Sequence, residues 1–96
     1  MSVVNLEEVK LFLRVDGDEE DALITSLILT STALVEGVIR RELTEFESVP
    51  ETLKQAVLIT LATLYENRQS GKGGLITADM LDLIKRLTFA YRKEEF

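Results

Sequence analysis

The sequence predicts an all-α fold: a single small domain, spanning residues 1–96, of about four helices with a central hydrophobic third helix. Three observations lead there. Apolar residues recur at helical spacing, and no stretch alternates with a two-residue period long enough to read as a strand. Residues that open helices stand ahead of the periodic segments, namely Asn5, Asp18, Ser48 and Thr77. The single proline, Pro50, falls where a helix begins and not inside one. Composition agrees, because 46% hydrophobic and 29% charged residues in a chain of 96 describe one ordinary folded core, not a disordered segment.

The first element follows from Asn5 and Glu8, a capping box that opens a short helix over residues 6–13. Leu6, Val9, Leu11, Phe12 and Leu13 supply its apolar surface. Val15 to Asp18 reads as a turn, with Gly17 free to take a positive φ. Asp18 is the expected N-cap of a second helix over 19–41. Glu19, Glu20 and Asp21 favour the positive end of its dipole, and Arg40 and Arg41 suit the negative end. At about 1.5 Å per residue that helix is roughly 35 Å long, the width of a small domain.

The second helix has two faces. At 100° per residue, Leu23, Ile24, Leu27, Ile28, Leu34, Val35, Val38 and Ile39 share one broad stripe, a core face. Opposite it lie Ala22, Ser26, Leu29, Thr30, Ala33 and Gly37, small and uncharged where a solvated helix back normally carries Lys and Glu. Small side chains let another helix approach closely. Two readings stay open: a helix packed within its own domain on both sides, or a subunit interface centred on Leu29.

A linker over 43–49 leads to Ser48 and Glu51, a second capping box, with Pro50 in the first turn of a third helix over 50–68. That helix is apolar almost all round, through Leu53, Ala56, Val57, Leu58, Ile59, Leu61, Ala62, Leu64 and Tyr65, and is therefore expected to be central. Residues 70–76 form a flexible glycine-rich loop. Thr77 caps a last helix over 77–88 that carries Met80, Leu81, Leu83, Ile84 and Leu87, after which Phe89, Tyr91 and Arg92 lead into a charged tail.

Charge narrows the function classes. Residues 1–36 hold eight acids against Lys10 and Arg14, which accounts for the whole net charge of −6. Five of those acids, Asp16, Asp18, Glu19, Glu20 and Asp21, crowd into six positions as a candidate acidic surface. Such a surface repels phosphate and disfavours general nucleic-acid binding; its plain reading is a solvated helix start. The longest strongly apolar run, around Val57 to Tyr65, is too short to span a bilayer, and the N-terminus lacks the pattern of a signal peptide, so no membrane role and synthesis in the cytoplasm are expected.

Chemistry has little to work with. The chain has no cysteine and no histidine, so no disulfide, thiolate site, Ser–His dyad or zinc set can form. Asp16, Asp18 and Glu20 mimic the first ligands of a calcium loop, but Asp21 stands where that loop needs glycine and Leu27 where it needs a bidentate Glu. Gly71 to Gly74 mimic a phosphate loop, but Glu66 replaces its first glycine and Gly73 its Ser or Thr. No cofactor, no metal and no enzymatic activity are expected.

The ordered residues do resemble a family. Val9 to Asp16, then Glu19 to Ile24 with Leu27 and Ile28, are similar to the opening of small head–tail connector proteins of tailed bacteriophages. Pro50, the apolar third helix ending Leu64-Tyr65-Glu66-Asn67-Arg68, and Tyr91-Arg92 continue the resemblance over nearly the whole chain. The resemblance implies a structural virion protein at the head–tail junction, a ring of identical subunits beneath the portal. Such a ring extends the DNA channel, lets DNA pass without sequence-specific binding, and presents a platform to the next connector or tail-completion protein. An expectation of a different class competes with it: a small acidic cytosolic helical regulator that binds a basic surface on a protein partner.

Overall fold

The computed structural model describes residues 4–69 and 78–91. Four α-helices follow one another, α1 (Leu6–Leu13), α2 (Asp21–Ile39), α3 (Glu51–Gln69) and α4 (Ala78–Thr88), and there is no strand among the described residues. Short 3₁₀ turns at Leu43–Glu45 and Phe89–Tyr91 complete them. The all-α expectation holds, with each helix end within two residues of its expected place. The glycine-rich segment 70–76, Thr77 and Arg92 lie outside the described residues.

The fold is assembled around α3, which packs against α1, α2 and α4. Leu53, Ala56, Val57, Leu58, Thr60, Leu61 and Leu64 are all buried, which takes in most of its circumference. The Thr60 hydroxyl donates to the Ala56 carbonyl at 2.7 Å, so even its buried polar group is satisfied within the helix. From α2, Ile24, Ile28, Val35 and Ile39 enter the core; Val4 and Val9 join from the α1 end, and Met80 and Ile84 from α4.

The core stripe of α2 is narrower than its sequence suggests. Leu27, Leu34 and Val38 are only partly buried against the core. Ser31 completes the fully buried line between Ile28 and Val35, with no hydrogen-bond partner for its hydroxyl. Its small volume keeps the α2–α3 contact continuous where a larger residue would hold the helices apart.

Helix ends show where local signals prevailed and where they did not. The Asn5 capping box is complete: the Asn5 side chain accepts from the Glu8 N–H at 2.8 Å and the Asn5 N–H donates to Glu8 at 3.2 Å. Asp18 is not the cap of α2. Glu20 occupies that position without a side-chain cap, and the Asp18 carboxylate instead accepts from Lys10. Gly17 does not adopt a positive φ; the left-handed positions are Arg14 (φ 61°) and Arg40 (φ 59°), which end α1 and α2. At Arg14 the reversal is fixed by two bonds, Arg14 N–H to the Leu11 carbonyl and Val15 N–H to that of Lys10. The second expected capping box is replaced as well. Pro50 stands just before α3 with its carbonyl accepting from Leu53 and Lys54, while Gln55 donates to the Glu51 carboxylate.

Polar ties then set the helices against one another. Tyr65, near the end of α3, donates its hydroxyl to Glu20 at 2.6 Å, which lays α3 antiparallel to α2. Lys54 reaches Glu8 at 2.5 Å and joins α3 to α1. At the far end of α2, the Arg41 guanidinium lies 4.8 Å from the centre of the Phe46 ring and donates to the Tyr91 carbonyl, and Phe46 meets Tyr91 edge-on. The chain after α4 is thereby fastened to the α2–α3 connection, so α4 runs parallel to α2.

Two measurements check this construction. Leu61→Ala removes a fully buried side chain from the middle of α3 and should cost roughly 2–5 kcal/mol in urea or thermal unfolding. An unchanged midpoint would show that α3 is not the core element. The Lys54 hydrogen bond, and after it the Asn5 N–H, hold the Glu8 carboxyl below its ordinary value of 4.5. A lowered folded pKa stabilises the fold above the unfolded value, and that contribution is lost as pH falls through the folded value. The melting temperature should therefore decline on acidification below about 4.5, and Glu8→Gln should flatten part of the decline. Identical slopes in melts of the two proteins would remove this pair from the stability of the fold.

Candidate interaction surfaces

Two sets of residues stand out as candidates, the outer face of α2 and the acidic segment before it. Ala22, Ser26, Leu29, Thr30, Ala33 and Gly37 are all exposed along one side of α2. Packing of this face within its own domain is therefore not what the described residues adopt. Leu29, at its centre, is 63% exposed. A Cβ built on Gly37 would meet nothing within 4 Å. The Thr30 hydroxyl is turned back onto the Ser26 carbonyl at 3.1 Å, which leaves the face poor in hydrogen-bonding groups. Between Asp21 and Glu36 the helix carries no charge at all.

That composition gives α2 a further property. Over Asp21–Ile39 it is long and apolar enough, by length and composition, to cross a membrane, with a mean hydropathy of 1.8. The longer apolar stretch thus lies in α2, and not around Val57 to Tyr65 where the sequence reading placed it. The exposed residues of α2 are Ala22, Thr25, Ser26, Leu29, Thr30, Ala33 and Gly37, and among them Leu29 alone is a large apolar group; Leu27, Leu34 and Val38 lie partly buried against the core.

The acidic segment divides into two parts. Lys10 bridges Asp18 at 3.1 Å and Asp21 at 2.8 Å, and those hydrogen bonds, Asp21's the stronger influence, raise the lysine pKa. Glu20 accepts from Tyr65. These three acids tie α1 and α3 to the start of α2 and are more than a solvated helix start. Asp16 and Glu19 are exposed, the Glu19 carboxylate lying back over Gly17. Among the described residues no group of three acids is arranged to hold a metal ion.

One surface was missed. Leu11 is 80% exposed and Phe12 45% exposed on α1; Leu83 is exposed on α4, and Phe89, in the turn that follows α4, is 74% exposed. Sequence reasoning pooled Leu11 and Phe12 with the core residues of α1. The helical period separates Leu11, which falls roughly 140–160° from Leu6, Val9 and Leu13 at 100° per residue; Phe12, about 60° from Val9, sits at the flank of the core stripe and its exposure is not signalled by the period.

No curated protein and no solved structure gives a significant match to the chain. The family model described as phage gp6-like head-tail connector protein matches residues 3–88, which takes in all four helices, the acidic turn and the linker before α3. The match covers about nine-tenths of the chain, and the chain belongs to the phage gp6-like head–tail connector family.

Proposed function

We propose that this protein is a structural component of a tailed-phage virion, assembled as a ring of identical subunits at the head–tail junction and docked beneath the portal. The ring continues the DNA channel and offers its far side to the next connector or tail-completion protein. Family membership supports the structural role at the junction. The observation that carries the ring is the outer face of α2: six residues from Ala22 to Gly37, exposed, small or apolar, and uncharged. A closed ring needs a heterologous interface, in which one patch of each subunit meets a different patch of the next. A helix that presents small side chains admits a close neighbour, and burial of Leu29 removes apolar surface from water.

Charge fits the channel. A duplex must slide during packaging and ejection, and a subunit with a net charge of −6 avoids the counterion release by which basic proteins grip DNA. No reaction is required of such a part; its work is to close gaps and hold register.

Ala33→Arg tests the face. A guanidinium placed where two backbones approach would be buried without a partner, at a penalty of several kcal/mol, whereas in a lone subunit it would extend into water. The variant should keep its helicity and melting temperature yet fail to form rings on the portal, read by native mass spectrometry of portal-bound complexes. Rings formed by the folded variant would dismiss this face as the interface. A wild-type chain that neither binds a portal nor forms a ring would dismiss the connector role.

A further inference from the structure

Away from the α2 face the chain exposes two further apolar patches, and their surroundings differ in sign. On α1, the exposed Leu11 and Phe12 are flanked in sequence by the exposed acids Glu7, Asp16 and Glu19, with Arg14 the one exposed base between them. Asp18 and Asp21 add no free cation there, because between them they hold Lys10. On α4, charge is sorted along the helix. Asp79 and Asp82 lie in its first half, and the exposed Lys85 and Arg86 lie in the last turn, four and three residues before Phe89. Neither Lys85 nor Arg86 makes an ion pair with a described residue. The helix dipole explains bases in a last turn; it does not explain a phenyl ring 74% exposed beside them.

We infer that these patches are the two halves of one contact between copies of this chain: the Leu11–Phe12 patch with its acids receives the Phe89 end of α4, with Lys85 and Arg86, from a second copy. Three features carry the inference. Each patch joins large exposed apolar groups to charge, and the signs are opposite. The patches lie on different helices, so their pairing is heterologous and leaves one free half at each end of any open chain of subunits, as closure into a ring requires. The net charge of −6 makes whole copies repel, so attraction must come from local pairing, which fixes orientation as well as contact. The inference deepens the ring reading and rests on it for its biological use, but self-association through these patches is measurable without a portal.

The absence of cysteine makes the test direct. Chains carrying Phe12→Cys and chains carrying Phe89→Cys are mixed in equal amounts at low salt and oxidised mildly. Both positions are exposed, and unchanged circular dichroism verifies that the variants fold; Leu11→Cys and Leu83→Cys form a second pair. Random collision yields the mixed dimer at twice the amount of either like dimer. Directed pairing should raise that ratio to roughly tenfold, equivalent to little more than one favourable contact. Lys85→Glu with Arg86→Glu, or high salt, should return it towards the random value. A random ratio at low salt in both cysteine pairs overturns the contact, as does an excess of like dimers. Rings assembling on the portal despite a random ratio would leave the connector role standing and refute only this pairing. A mixed-dimer excess without portal rings would uphold the pairing and refute the ring.

Discussion

The packing of α3 against its neighbours is the constraint on which the rest of the structure depends. A helix buried through Leu53, Ala56, Val57, Leu58, Leu61 and Leu64 cannot lie at a surface, and among the described residues three other helices are there to enclose it. Helix α2 supplies the longest side, along Ile24, Ile28, Ser31, Val35 and Ile39, and α4 closes another through Met80 and Ile84. The eight residues of α1 are too few to fold alone, and they lie as a cover over α2 and α3. With so little material, each outer helix is shared between the core and the surface, and what it shows outward is set partly by what it must place inward.

Polar contacts do little to hold such a core together, but they decide how its parts are arranged. Lys10, Glu8 and Lys54 orient α1, whose apolar contribution alone would tolerate several angles. Tyr65 and Glu20 set the register of α3 on α2, and Arg41, Phe46 and Tyr91 anchor the chain after α4. Most of these pairs are partly exposed, so their value lies in geometry and only modestly in stability. They also change what the acidic segment is. Asp18, Glu20 and Asp21 are occupied within the fold, and the charge left to face a partner is that of Asp16 and Glu19.

The helices and the central place of α3 were legible in the sequence because both follow from periodicity, which packing reinforces. Helix caps were legible where the capping side chains could serve them alongside their other contacts. Glu8 accepts from the Asn5 N–H with one carboxylate oxygen and meets Lys54 with the other, so its box forms; the Asp18 carboxylate turns to Lys10, and α2 begins without it. Gly17 advertised the left-handed turn, yet the turns fall at Arg14 and Arg40, because helix length and the following contacts fix where each helix must stop. In the candidate surfaces, the α2 face was legible as a departure from the usual charged helix back. The exposure of Leu11, Phe12 and Phe89 was not, since a residue list records that a helix is apolar and only its phase against the core records which side is wet.

The apolar character of α2 follows from these same limits. A helix that meets only its own core on one side needs one apolar stripe and places charge on the other, which maintains solubility and adds favourable pairs along the surface. Helix α2 carries no charge between Asp21 and Glu36, and its exposed side shows small residues, threonines and Leu29. Its mean hydropathy reaches the range of a membrane-spanning segment, although Ile24, Ile28, Val35 and Ile39 are committed to α3. An exposed leucine on the same side as Ala33, Ser26 and Gly37 is a single projection on a face of small residues, which suits a second helix better than a lipid surface, where bulky residues would line the outer side. In the ring reading that second helix belongs to the neighbouring subunit, so the same helix bears on two cores, its own through isoleucine and valine and the assembly's through small residues. Charge on the outer side of α2 would favour the lone subunit; its absence favours the subunit that has a neighbour.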